Sequence, residues 1–158
     1  MKFYTFSHAG GEEILKEKGL LREITEILKE MKRSQLHPDE PTKRAQTSSG
    51  HALIESLFQN TGWEIEKQIL PKKNWRWDCY KDKVAISIEF TGGTAHTHRD
   101  LLRTLLLSHG DKIDVLVFIT ETDVNTPVYE NVKDEIKLFS PIINFPVYLI
   151  GLRNPPNW

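Results

Sequence analysis

Residues 74–90 read NWRWDCYKDKVAISIEF. Two β-type segments meet at the charged turn KDK; one carries Asp78 and the other carries Glu89. Side chains alternate along a strand. Val84, Ile86, Ile88 and Phe90 are therefore expected on one face, and Ala85, Ser87, Glu89 and Thr91 on the other. The second set is small, polar and acidic, as the lining of a polar site would be. In the preceding segment Trp77 and Cys79 are expected on one side, Arg76 and Asp78 on the other. A hairpin brings Asp78 across from Ser87 or Glu89. Two neighbouring carboxylates are costly unless positive charge lies between them. One or two divalent cations would supply it, and hard oxygen donors suit Mg²⁺. Such ions can activate water and stabilise the charge that develops at a phosphodiester. Acidic strand residues can equally form a solvent-facing sheet surface, and the spacing alone leaves both readings open.

The rest of the chain sets the context. Its 158 residues suggest a single domain, 1–158, large enough for one core. An apolar share of 39% with 27% charged residues places it among ordinary soluble globular proteins. The net charge of −1 argues against a surface that coats nucleic acid throughout, yet leaves room for a local basic cleft. No apolar run reaches the roughly 18 residues of a membrane span. The opening MKFYTFSHAGGEEILK is too acidic, and its apolar part too short, for a signal peptide. The lone cysteine, Cys79, excludes an internal disulfide and fits a reducing cytoplasm. Its thiol reads as a small buried group, not a nucleophile.

Periodicity gives the element order. EEILKEKGLLREITEILKEMKR carries Leu20, Ile24, Ile27 (or Leu28) and Met31 at helical spacing and reads as an amphipathic helix. SQLHPDEPTKRAQTSSG, with two prolines, reads as a loop. GHALIESLFQNTG is a second helix, with Leu53, Leu57 and Phe58 inward. WEIEKQIL, WRWDCY and KVAISIEF follow as three strands able to form a meander. HRDLLRTLLLSHG is a helix, and KIDVLVFIT is apolar enough for a strand covered on both faces. VYENVKDEIKLF is a last helix and FPVYLIG a last strand. The fold class is α/β, a mixed five-stranded sheet flanked by helices. Glu55 lies mid-helix beside Leu53 and Leu57; it either reaches the polar site or belongs to a solvated helix face.

The stretch VAISIEFTGGTAHTHRDLLRTLLLSHGDKIDVLVFI, residues 84–119, resembles type II restriction endonucleases of the BamHI/BglII type. The shared pattern is an acidic apolar strand, glycine, HR, a leucine-rich helix, HG, and IDV opening an apolar strand. DCYKDKVAISIEF looks like the family's hairpin and ALIESLF…GW like its preceding helix, so the likeness runs over roughly residues 52 to 120. The helix–three-strand–helix–strand order is also that of the restriction-endonuclease-like, PD-(D/E)XK, core. The resemblance implies that Asp78 is a metal ligand. It implies that Glu89 is a metal ligand or the group that orients or deprotonates the attacking water, and that Glu55 is the family's helix glutamate. It further implies Mg²⁺ as cofactor, with Mn²⁺ as a substitute, and no nucleotide cofactor. The partners implied are double-stranded DNA, cut at a short palindrome that often contains GATC, and a second copy of the chain in a homodimer.

Ser87 departs from the family, which usually has glutamate there. A serine cannot replace a carboxylate as a charged ligand. Asp100, at the start of the following helix, could fill the gap; the register could instead be Glu89-x-Thr91; or the chain could be a catalytically impaired DNA-binding protein of the same fold.

By the same resemblance TGGTAHTHR is the loop that approaches the major groove, with Thr94, His96, His98 and Arg99 as DNA-contacting candidates. Arg99 aligns with a base-reading arginine, and arginine to guanine is the commonest specific contact. The pair His96-x-His98 has no third clustered histidine or cysteine to make a zinc site. Asn125, Thr126 and Tyr129 lie in a second recognition segment of the family. Lys43, Arg44, Lys72, Lys73 and Arg76 could meet phosphates or be solvated charge. The leucines of HRDLLRTLLL cover more than one helix face, as a dimer helix or a fully covered core helix would.

Overall fold

The computed structural model describes residues 2–31, 47–90, 94–122 and 128–153, with backbone only for 47–49. Strand β1 spans Lys2–His8, followed by helices α1, Gly11–Glu17, and α2, Leu20–Lys29. Helix α3 spans Thr47–Asn60, and strands β2, Glu64–Gln68, β3, Arg76–Lys81, and β4, Val84–Glu89, follow. Helix α4, Thr94–His109, leads to β5, Val115–Glu121. Helix α5, Val128–Phe139, leads to β6, Val147–Arg153.

The six strands form one sheet in the order β1-β6-β5-β4-β3-β2. β4, β5 and β6 run parallel, joined by α4 and α5 as crossovers; β1, β3 and β2 pair antiparallel at the flanks. β4 is buried along its whole length and β5 up to its last residue, as the apolar run of β5 requires. One face packs Leu15, Ile24, Leu28, Ile54 and Phe58 against Ile86, Val117 and Ile150. The other packs Leu101 and Ile136 against Ala85, Leu116, Phe118 and Leu149. Each fully buried Leu, Ile or Phe of these layers contributes about 1.5–3 kcal/mol. No described helix is long and apolar enough to cross a membrane.

The sheet has six strands, not five. KFYTFSH, which carries little alternation of its own, is a partly buried edge strand recruited by pairing along β6 from Lys2↔Arg153 to His8↔Val147. The first amphipathic stretch is two helices, broken at Gly19, whose φ of 71° lies in the left-handed region that glycine adopts without a Cβ clash. Leu20, Ile24, Ile27, Leu28 and Met31 are all buried as their spacing requires. TSSG belongs to α3 and not to the loop before it. Ile54 and Phe58 are the fully buried residues of α3, while Leu53 and Leu57 are only partly covered. Helix α4 begins at Thr94, so Thr94 to Arg99 are helical residues.

The alternation expected for β3 fails at one place. Trp77 packs with the Leu101 face and Cys79 with the Ile86 face, although they are two residues apart. The β3–β4 ladder pairs Lys81↔Val84, Tyr80↔Ala85 and Cys79↔Ile86 and then stops. Across the other edge Glu66, next to this break, has a φ of 50°. The two strands fork here. The backbone N–H of Ile88, left without a ladder partner on β3, donates to Asp78 Oδ2 at 2.6 Å. A side-chain carboxylate thus closes the gap that a backbone carbonyl would close in a regular hairpin.

Candidate active site

The fork fixes Asp78. With Oδ2 committed to Ile88, its Oδ1 faces α3 and lies 3.3 Å from His51 Nε2. His51 and Glu55 are four residues apart, so they share one face of α3. Their Nε2 and Oε1 are also 3.3 Å apart. That is ion-pair range without hydrogen-bond geometry, and Glu55 Oε1 is left buried with no hydrogen-bond partner. The nearby Asp78 carboxylate raises His51 to about 9. At neutral pH it is an imidazolium held between two carboxylates. Burial raises Glu55 above its ordinary value, against the pull of His51.

The second half of the site comes from β4 and α4. Ser87 and Glu89 share one side of β4 and are 4% and 6% exposed, so the polar set of this strand is enclosed and not a solvent face. Burial, then the charges of Asp100 and Asp78, push Glu89 up to about 7. Ser87 Oγ donates to Asp100 Oδ2 at 2.9 Å. Asp100, itself 4% exposed, accepts from Arg99 Nε at 3.0 Å on Oδ1, with Arg103 NH1 3.7 Å away. His96 is exposed, its Nδ1 3.8 Å from Glu89 Oε2.

One ring nitrogen of His51 and one oxygen each of Glu55 and Asp78 lie within 4.8 Å of one another. Oxygen ligands sit about 2.0–2.6 Å from Mg²⁺ or Ca²⁺, so donors around one ion are separated by at most about twice that. The trio therefore fits a divalent cation, and the orphaned Glu55 oxygen is a donor without other occupation. The carboxylates suit Mg²⁺ and Mn²⁺; the imidazole suits later transition metals better. This is the metal-sized group of three donors among the described residues.

The family model for restriction endonuclease BglII/BglIII matches residues 3–152. The chain belongs to that family. It is a type II site-specific deoxyribonuclease, a DNA endonuclease of a restriction system. The fold agrees. The crystal structure of restriction endonuclease BglII complexed with a DNA 16-mer superposes with a TM-score of 0.78 at 17% sequence identity, covering all of this chain and 79% of that one. No curated protein matches the chain by sequence.

Within this endonuclease the anticipated residues divide. Asp78 and Glu55 come together; Glu89 lies within the electrostatic reach of Asp78 and Asp100 but outside the trio. Ser87 and Asp100 are joined by their own hydrogen bond. Of the DNA-contact candidates Thr94 and His96 are exposed, and Arg99 is engaged with Asp100. His98 pairs with Glu135 of α5 and lies against the Phe139 ring, so the two histidines diverge. Tyr129 is buried, its ring against Gly151, where an added Cβ would come within 2.5 Å of it. Thr91, Asn125 and Thr126, with Lys43 and Arg44, lie outside the described residues. Cys79 is fully buried and its thiol is pushed far up by burial, which makes it inert.

His51 is the residue that sequence reading missed. Its signal was the i, i+4 spacing to Glu55 in HALIE, visible once Glu55 was singled out.

Proposed function

We propose that this endonuclease hydrolyses phosphodiester bonds of double-stranded DNA at a short palindrome, as a cytoplasmic homodimer that depends on Mg²⁺ or, in its stead, Mn²⁺. GATC-containing sites are the first to try. The observation that carries the metal dependence is the meeting of His51, Glu55 and Asp78 beside the enclosed Glu89. Asp78 and Glu55 would hold the cation, with His51 as a third donor. When bound, it supplies Lewis acidity toward the phosphate and the attacking water. Glu89, enclosed on the polar side of β4, would accept the proton of that water. The water oxygen attacks phosphorus, the bond from phosphorus to one deoxyribose oxygen breaks, and that oxygen is protonated from solvent.

The homodimer reading is supported by exposed leucines. Leu102 and Leu106, one turn apart on α4, are 53% and 56% exposed. Leu138 and Ile142, at the end of neighbouring α5 and just beyond it, are 70% and 60% exposed. Apolar side chains exposed in such numbers on adjacent helices mark an interaction surface. DNA contact is proposed for Thr94, His96, His98 and Arg99 at the start of α4, and for Asn125 and Thr126.

Incubation with plasmid DNA and Mg²⁺ or Mn²⁺ tests the reading. Discrete fragments that vanish with EDTA and in Asp78→Asn are expected. Cleavage that persists in EDTA would refute the metal role. Ser87, in place of the family's glutamate, favours a second reading, sequence-specific binding with impaired cleavage. Retarded complexes on one palindrome without any cut would select it.

A further inference from the structure

We infer that Lys2 and Arg153, set in place by Tyr4 at the β1–β6 edge of the sheet, form a second contact surface for duplex DNA that grips backbone phosphates away from the point of cleavage. The inference rests on the reading of double-stranded DNA as the substrate. Its basis is a row across the sheet. Glu89 of β4 pairs with Thr120 of β5, Thr120 with Gly151 of β6, and Gly151 with Tyr4 of β1. Alternation puts Glu89 on the side of β4 that carries Ala85, and Ala85, Leu149 and Tyr4 pack on one face of the sheet. Tyr4 therefore shares both a face and an end of the sheet with Glu89. Three strand spacings separate them, about 14 Å. Phosphates of one strand advance about 3.4 Å per nucleotide along the duplex axis. A duplex lying along this row thus meets the edge about four steps from the phosphate at Glu89.

The chemistry of this edge suits a polyanion. Arg153 NH1 donates to the Tyr4 phenol oxygen at 2.9 Å, and the guanidinium carbon lies 5.9 Å from the centre of the ring. Lys2 pairs with Arg153 across the ladder and places Nζ 5.2 Å from the centre of the same ring. The hydrogen bond from Arg153, its charge and that of Lys2 hold the phenol below its ordinary value, so both cations act on one oxygen. Two cations gathered at one small group repel each other, and an anion between them relieves the repulsion. A guanidinium has five N–H donors in a fork that matches phosphate, and the phenol takes one of them. Tyr4 is the positioning residue of the pair. Helix α5 adds a second rank of charge: Lys133 Nζ lies 5.6 Å from the Tyr129 ring and Lys137 Nζ 5.9 Å from the Phe6 ring. Those two are shared with Glu130 at 3.3 Å and Asp134 at 3.9 Å on their own helix, so Lys2 and Arg153 carry the contact.

The experiment is binding of a random-sequence duplex of about 30 base pairs to the full chain in EDTA, read by fluorescence anisotropy from about 50 to 200 mM salt. Thermal unfolding of each variant is measured alongside. Each phosphate contact contributes about 0.9 to the slope of log affinity against log salt. Arg153→Gln is expected to lower the slope by about 0.9, and Lys2→Gln with Arg153→Gln by about 1.8, with affinity at about 0.1 M salt down tenfold or more. Arg153→Lys keeps the charge and is expected to keep the slope, losing about threefold in affinity with the fork. Tyr4→Phe removes the hydroxyl and keeps the ring; it is expected to weaken binding about two- to threefold at an unchanged slope. A slope in the double glutamine variant within about 0.3 of the parent's overturns the inference. A slope lowered as far in Arg153→Lys as in Arg153→Gln makes the loss structural and overturns it as well. Should the double variant fail to fold, the exposed Lys2→Gln decides alone, with a fall of about 0.9 expected and an unmoved slope fatal. A parent that binds no duplex at all removes the DNA reading itself, which is distinct from a parent that binds while the slope of its variants stays put.

Discussion

In the absence of divalent cations, Glu89 should make the protein less stable as pH rises through neutrality. Its carboxyl is 7% exposed and lies within the fields of Asp100 and Asp78, and it is pushed from an ordinary 4.5 to about 7. The folded state thus prefers the neutral acid more strongly than the unfolded chain does. The contribution is fully present below pH 4.5 and is lost as pH climbs from 4.5 through about 7. At about 1.4 kcal/mol per pH unit, a displacement of this size amounts to about 3 kcal/mol. Small domains are stable by only about 5–15 kcal/mol, so the loss is readable in a urea titration. Glu89→Gln keeps the shape of the neutral acid and removes its titration. Unfolding of parent and variant in EDTA at intervals from pH 4 to 8 gives the difference directly. That difference should move by about 3 kcal/mol against the parent. His51, raised to about 9, loses its own stabilising contribution in a higher window, from about 6.5 to 9. It is present in both proteins, so the subtraction removes it to first order. Saturating Mn²⁺ should abolish the decline, because a bound cation favours the ionised acids. A difference constant within about 0.5 kcal/mol across the range would refute the claim that burial and neighbouring acids crowd Glu89.

Four further outcomes are expected. Asp78→Asn should lower plasmid cleavage by about 10²-fold or more while leaving the fold intact, because the asparagine carbonyl can still accept the Ile88 N–H; circular dichroism with a cleavage assay reads both. His51 must release its proton to act as a ligand, so Mn²⁺ affinity measured by calorimetry should rise from pH 6.5 to 8.5 in the parent, and His51→Asn should flatten that rise. If the proposed dimer forms through α4, Leu102→Glu with Leu106→Glu should give a monomer in sedimentation velocity where the parent sediments as a dimer, at a cost within about 0.5 kcal/mol to the monomer fold. Gly151→Ala should destabilise by about 1–3 kcal/mol in urea, since its Cβ would lie 2.5 Å from the Tyr129 ring.

Much of the fold could be read from periodicity because buried faces repeat. Leu20, Ile24, Ile27 and Met31 were identified at helical spacing and are all buried. The continuous apolar run of β5 and the bounds of α5 follow from the same logic. The strand β1 escaped it because an edge strand buries only part of each face and owes its existence to β6. The break at Gly19 escaped because one left-handed glycine does not interrupt the 3.6-residue stripe enough to be seen. For the site, Glu55 and Glu89 could be picked out as acids among apolar neighbours, Asp78 by its hairpin position, and Asp100 by its place at the start of the following helix. Which of them share an ion could not, because that depends on where side chains from three separate elements converge.

The reason lies in the fork between β3 and β4. A regular hairpin would pair Ile88 with a backbone carbonyl and keep Trp77 and Cys79 on one face. Here the ladder ends at Cys79↔Ile86, and Asp78 crosses the gap to take the Ile88 N–H with its side chain. That single departure turns Trp77 to the opposite core and aims the free Asp78 oxygen at His51. It also opens the sheet where α3, from one face, meets the polar side of β4, from the other. Strand alternation predicts the faces of a regular sheet, and the site exists because the sheet is irregular at this residue. Asp78 is consequently part of the hydrogen-bonding of the sheet and part of the proposed metal site at once. A charge placed there holds its position without a cation, which is what a pre-organised ligand requires.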